Sequence, residues 1–215
     1  SRIVSKGAPG TVALRFETDE GAQFKAEGQA DVAQGAVRGR FELAKMRVGT
    51  LRAYYATAMQ AEFRKGALDF SSEFEFARDG DATRVTLGNG TAAFSDVEAM
   101  LPGEREPALR LARAELSGIA LDATKRTFAI DSVAGTQGSL RVTRDRDGAI
   151  NIEQFTRPSK ALETAERRVS SDSSSGQVWN VLMHAVKFEG INIDVEDRVP
   201  EAPVRLRLSD VRLAA

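Results

Sequence analysis

Cysteine is absent from this chain of 215 residues, and histidine and tryptophan occur once each. Without cysteine there are no disulfides, no thiolate nucleophile and no cysteine-ligated zinc, a composition compatible with the cytosol or a cell-envelope compartment. The lone histidine, His184, cannot build a typical zinc site by itself, and acid–base work would need a positioned partner that the sequence does not identify. It has the parity of Val186 and Phe188, so it is expected on or beside an apolar face in a structural role. Long apolar runs are also missing. No stretch of about 18 apolar residues exists, so no segment reads as a membrane-spanning helix, and no signal peptide is recognisable. The chain opens and closes inside strand-like patterns, as a piece of a longer protein would. Nor is charge of one sign in excess: 30 Lys and Arg against 31 Asp and Glu leave a net charge of -1. A phosphate-binding surface normally shows a basic excess, which argues against nucleic acid as a partner.

What the chain has in abundance is alternation with period two. Val12, Leu14 and Phe16 alternate with Ala13, Arg15 and Glu17, and Val204, Leu206 and Leu208 alternate with Arg205, Arg207 and Ser209. Successive side chains of a strand point to opposite faces, so the pattern makes sheets that are apolar on one side and wet on the other. Strand-like runs cover 11–17, 22–31, 35–49, 61–77, 83–95, 109–122, 127–133, 138–144 and 149–155. Turn signals fall at Asp19-Glu20-Gly21, Asp79-Gly80-Asp81, Gly88-Asn89-Gly90 and Asp145-Arg146-Asp147-Gly148, and Gly135-Thr136-Gln137-Gly138 also reads as a turn. Short spacing with tight turns predicts an antiparallel meander. Two helical interruptions are expected, at 51–60 and as one turn between Ser95 and Leu101.

The fold expected is therefore mainly β: an elongated, curved antiparallel sheet, forming either a groove or a sandwich, with one or two short helices. Residues 1–156 read as an antiparallel β module and 157–177 as a polar, Ser-rich flexible linker that lacks the apolar area to offset its ordering entropy. Residues 178–215 repeat a strand pair, continuing the sheet or starting a next module. Ala114–Asp122 lines up with Val186–Asp194 at an offset of 72, and Arg126 then falls on Arg198.

The apolar stripe is the candidate site. Phe16, Phe41, Phe70, Phe74, Phe76 and Phe94 head it, followed by Leu116, Leu121, Phe128, Ile130, Phe188 and Ile193. They either line a lipid-facing groove or form the dry core that any antiparallel sheet needs. Little helix is available to cover so much sheet, so the face must curl, pack on a second sheet or stay open. No catalytic, cofactor or metal site is read. Asp145-Arg146-Asp147-Gly148 lacks the later ligands of a calcium loop. The acid pairs Asp79 with Asp81 and Asp194 with Asp197 have nothing to bring them into a cleft. Tyr54, Tyr55 and Met59 read as a cap on the end of the sheet, and Trp179 as a buried anchor for the returning strand.

These patterns resemble a known family. The carriers are Gly-Ala-Leu-Asp-Phe at 66–70, Leu-Ser-Gly-Ile-Ala-Leu-Asp at 116–122, Arg-Asp-Gly-Ala-Ile-Asn-Ile at 146–152 and the run from Trp179 to Arg198. Together they are similar to the AsmA-like superfamily of bacterial envelope proteins, in the branch known as domain of unknown function 748. The resemblance implies an inner-membrane-anchored protein whose bulk is periplasmic, with a taco-like β-groove along which phospholipid acyl chains slide. It implies a non-enzymatic role in lipid transfer and outer-membrane integrity, no cofactor, and a phospholipid or other acyl-chain lipid as partner. Envelope proteins could pair with the sheet edges, and membrane contact would come through parts of the full protein not in this chain. The alternative is a closed structural or protein-interaction β domain.

Overall fold

The computed structural model describes residues 9–31, 34–56, 59–79, 82–155 and 179–215. The alternating runs become nine strands: β1 Gly10–Glu17, β2 Gln23–Asp31, β3 Ala36–Arg47, β4 Glu62–Asp79, β5 Ala82–Met100, β6 Leu109–Asp122, β7 Thr127–Arg144, β8 Asn180–Asp197 and β9 Val204–Ala214. All nine join one sheet in chain order. Each strand pairs antiparallel with the next, except that β7 and β8 run parallel. Strand packing follows the same neighbour-to-neighbour order, and among the described residues no second sheet lies over the first. Of groove and sandwich, the chain forms the single open curved sheet.

The long strands stay amphipathic over 18 or 19 residues because their alternation is interrupted on purpose. A straight period of two would drift out of phase with the face once a strand bends. Here apolar residues straddle left-handed backbone positions at a spacing of three. Leu43 and Met46 flank Lys45 (φ 57), Phe94 and Val97 flank Asp96 (φ 50), Leu116 and Ile119 flank Gly118 (φ 64), and Phe188 and Ile191 flank Gly190 (φ 65). Each is a bulge that inserts a residue, bends the strand and returns the next apolar side chain to the same face. The register shifts where β3 meets β4, β5 meets β6 and β8 meets β9 mark such sites.

Several expected boundaries move for this reason. Gly88-Asn89-Gly90 is not a turn but a bulge inside β5: Asn89 (φ 49) donates from Nδ2 to Glu73 Oε2 at 2.9 Å, and the buried Ser72 hydroxyl reaches the Gly88 carbonyl at 3.0 Å. Gly135-Thr136-Gln137-Gly138 is likewise interior to β7, with Gln137 at φ 53, so the runs 127–133 and 138–144 are one strand. The helical turn expected from Ser95 is part of β5, which continues to Met100. The run at 149–155 makes only a bridge at Ile150 and then a 3-10 turn, Asn151–Phe155. There the buried Asn151 side chain replaces a backbone ladder, accepting from Thr143 N at 2.9 Å and donating to the Arg141 carbonyl at 3.1 Å. The expected helix at 51–60 shrinks to a 3-10 turn, Val48–Leu51, and one α turn, α1 Arg52–Tyr55. The linker expected at 157–177 and the residue Asp81 lie outside the described residues.

Packing is concentrated where that short cap meets the sheet. Val48, Leu68, Ala92, Ile119 and Ile130 are buried together, with Leu51, Phe63, Phe94 and Phe128 packed against them. Tyr55 packs edge-on against Phe63 with centroids 5.1 Å apart and accepts a bond from the Phe63 amide at 3.4 Å. A second small cluster joins Ala61, Leu101 and Ala108 to Met59 and Phe155. Tyr55 and Met59 thus cap the sheet as expected, whereas Tyr54 is 83% exposed.

Candidate functional site

Residues paired across a β ladder share a face, so the register alone assigns every strand position to a side. One row runs Phe16, Phe24, Leu43, Phe70, Ala92, Leu116, Val133 and Val186 from β1 to β8. A second joins Phe74 of β4 to Leu87, Leu121, Phe128 and Val181. A third carries Met46, Leu68, Phe94, Ala114, Gly135, Phe188 and Leu213. Apart from Phe155, every phenylalanine lies on a strand and on this one face.

All twelve candidate residues therefore stand on the same surface. Phe16, Phe41, Phe70, Phe74, Phe76 and Phe94 occupy its first half; Leu116, Leu121, Phe128, Ile130, Phe188 and Ile193 its second. Of these only Ile130 is buried. Phe16 and Phe76 are exposed, at 49% and 42%, and the others are half-buried. Their shielding comes from one another and from the short cap. That is the packing of an inward-curving apolar face rather than of a core closed between two layers.

The face is chemically graded. Across β1 to β4 the phenylalanines touch in series: Phe16 and Phe24 at 4.9 Å, Phe24 and Phe41 at 6.1 Å, Phe41 and Phe70 at 5.5 Å, Phe41 and Phe74 at 6.2 Å. These centroid distances are those at which aromatic pairs attract beyond simple burial. From β6 onward the face is mostly aliphatic. There Phe188 covers a glycine: a methyl group on Gly135 would lie 2.5 Å from the Phe188 ring, so the ring rests on bare backbone. The cap over β4 and β5 leaves the two ends of the face open. Val12, Leu14 and Phe16 on β1 are half exposed, as are Val204, Leu206, Leu208 and Leu213 on β9.

The opposite side carries the charge. Glu27, Arg40 and Glu73 form one row and Gln29, Arg38 and Glu75 the next. Between them lies a hollow of about 720 Å³ whose charged lining is Glu27, Arg38, Arg40, Glu73 and Glu75. Ion pairs such as Lys25–Glu27 at 2.9 Å and Arg84–Glu75 at 2.9 Å are solvent-exposed, and such pairs add solubility more than stability. The acid pair Asp194 and Asp197 is divided between Arg207 and Arg144. Glu196 accepts from Arg205 and Arg198, in that order of effect, and both hold its carboxyl below the usual 4.5. No group of three or more metal-ligating side chains exists among the described residues, and no helix among them is long and apolar enough to cross a membrane.

His184 departs from its expected place. Met183 pairs with Ile130 and Val186 with Val133, both on the apolar face, so the phase shifts between them and takes His184 out of the row. Its Nδ1 lies 3.2 Å from Asp131 Oδ1, both side chains being well exposed. Trp179 is not the buried anchor expected; it is 46% exposed. Sequence reasoning also missed face residues such as Leu87, Ile119, Met183 and Ile191. The signal that finds Leu87, Ile119 and Ile191 is the spacing of three across a Gly or Asn, which period-two counting discards; Met183 is placed only by its pairing with Ile130. Comparison of the chain with family models, with curated proteins and with solved structures finds no match in any of the three.

Proposed function

We propose that this chain is a non-enzymatic lipid-handling module of the AsmA-like type, in which the apolar face of the open sheet shields phospholipid acyl chains. The observation that carries the reading is the continuous apolar surface from β1 to β9 with one short cap over it. Eight strand spacings of about 4.8 Å make this face roughly 38 Å across, more than the hydrocarbon thickness of a bilayer at about 30 Å. Each acyl methylene removed from water contributes about 0.8 kcal/mol, so a continuous stripe holds a chain without a headgroup-specific contact. Because no single position dominates, the chain can slide. In this reading the module works in the periplasm as part of an inner-membrane-anchored protein, and its contribution to the outer membrane is lipid supply.

Native mass spectrometry with lipid extraction tests this. The wild-type protein is expected to carry phospholipid, and Phe16→Glu with Phe76→Glu is expected to lose it while keeping its circular dichroism spectrum, because both rings are exposed. A clean apo mass after incubation with phosphatidylethanolamine vesicles would overturn the proposal. Ile130→Glu serves as the contrast: that side chain is 8% exposed, and burying the carboxylate there should cost about 3 kcal/mol or more and unfold the sheet.

A further inference from the structure

Exposure of the apolar face falls steeply toward its middle. Phe16 and Phe76 are 49% and 42% exposed, whereas Leu68, Ala92, Ile119 and Ile130, one from each of β4 to β7, lie between 6% and 8%. These four form one buried cluster with Val48, and the half-buried Leu51 packs against it. Among the described residues, Val48 and Leu51 are the members of this cluster that do not come from a strand; both belong to the 3-10 turn Val48–Leu51. The turn is seated on bare backbone. A methyl group on Gly66 of β4 would lie 3.2 Å from Val48 Cγ2 and 3.4 Å from Val97 Cγ2. An acyl chain therefore finds the outer part of the face open and the middle already filled.

The filler is weakly held. Neither the 3-10 turn nor α1 has a side-chain cap bond, and a helix of one turn is unstable by itself. Arg52, Ala53 and Tyr54 are exposed, so α1 adds little burial beyond Tyr55 against Phe63. The turn is tethered from outside: Thr50 Oγ1 donates to Glu20 Oε2 at 3.1 Å, and Arg47 Nε donates to the same oxygen at 3.0 Å. Below it, β4 to β7 each have a neighbour on both sides. Local opening begins at the least bonded element, which is here the cap and not the sheet. Opening uncovers apolar side chains, and the methylenes of an acyl chain meet the same partners that Val48 and Leu51 leave. A chain that binds only the opened form shifts the cap toward it.

We propose that the Val48–Tyr55 cap is a gate: closed, it occupies the middle of the apolar face itself, and opened, it yields that place to an acyl chain. This inference rests on the acyl-chain reading and adds that Leu68, Ala92, Ile119 and Ile130 meet lipid only in exchange for Val48 and Leu51.

The absence of cysteine makes the test clean. Glu20→Cys with Thr50→Cys, both at exposed positions, introduces the only two thiols, which a short cleavable cross-linker joins across the tether. The protein is incubated with phosphatidylethanolamine vesicles carrying a phospholipid with a photoactivatable acyl chain, and the labelled residues are read by mass spectrometry. Label on Phe16 and Phe24 is expected with the cap linked or free. Label on Leu68, Ala92, Ile119 and Ile130 is expected to be lost when the cap is linked and to return on cleavage. Glu20→Gln, which removes the tether alone, should raise labelling of those four about threefold over wild type. Equal labelling of the four in linked and cleaved protein would overturn the gate and leave acyl-chain binding intact. Their staying unlabelled in both would overturn it as well, by showing a permanent core. No label anywhere, Phe16 included, would overturn the acyl-chain reading and the gate together.

Discussion

At the scale of single residues, the left-handed positions decide whether each strand keeps its apolar side chains on one face. Gly118 sits at φ 64, and a methyl group there would lie 2.0 Å from the Asp131 carboxylate and 2.6 Å from its Cβ. Gly118→Ala should therefore cost about 2 kcal/mol, the sum of left-handed strain and a displaced side chain. Gln137 occupies a similar conformation without being glycine, at φ 53. Gln137→Gly should relieve that strain, partly offset by chain entropy, for a net gain of about 0.5 kcal/mol. Urea denaturation of both variants checks the two signs. Opposite signs at two left-handed positions of one sheet would tie stability to backbone conformation rather than to buried area. The alternation around these positions was legible in the sequence. The left-handed positions themselves were not, because Gly-Asn-Gly and Gly-Thr-Gln-Gly satisfy a hairpin turn as readily as a local kink inside a strand. Only the pairing of both flanks with the same neighbouring strands distinguishes them.

At the scale of elements, β9 pairs with β8 alone among the described residues, its apolar side chains are exposed, and part of its attachment is electrostatic. Arg205 and Arg207 reach back to Glu196 and Asp194 on β8, and Arg198 ties Glu196 to the turn at Asp145. Glu196 titrates below its ordinary value in the folded sheet. Its contribution is therefore fully present above the unfolded value of 4.5 and is lost as pH falls through the lower folded value. Glu196→Gln should speed amide exchange across Val204–Leu208 at pH 7. At a pH below the folded value of Glu196 the variant and the wild type should exchange alike. A difference that persists in acid would mean the effect is packing, not charge. The parallel pairing of β7 with β8 belongs to this scale as well. The repeat at an offset of 72 marked β6 and β8 as related, and both place a left-handed glycine, Gly118 and Gly190, in mid-strand. The direction in which β8 joins β7 could not be read from it, since the repeat is silent on the path of the chain from Phe155 to Trp179.

At the scale of the molecule, the sheet is an array in which each strand rests on its neighbours in sequence, so stability is approximately a sum of local pairings. The cap and the buried cluster of Val48, Leu68, Ala92, Ile119 and Ile130 sit over the middle strands. Amide protection should therefore be highest in β4 to β7 and fall toward β1 and β9. Uniform protection across all strands would contradict this and point to a single cooperative unit. The gradient also bears on the proposed role: the outer strands yield first, and those are the strands whose apolar side chains lie open to solvent.

The sequence by itself determined that this is a sheet protein with one apolar and one charged side, and that its phenylalanines belong together. Those are consequences of side-chain alternation, a local property of the chain. Whether that apolar side is closed or open was decided only in three dimensions. It depends on how many elements remain to cover the face, on where bulges bend it, and on which edges find partners. The short cap and the parallel joint at β7 and β8 are both products of long-range pairing, and period-two patterning carries no information about them.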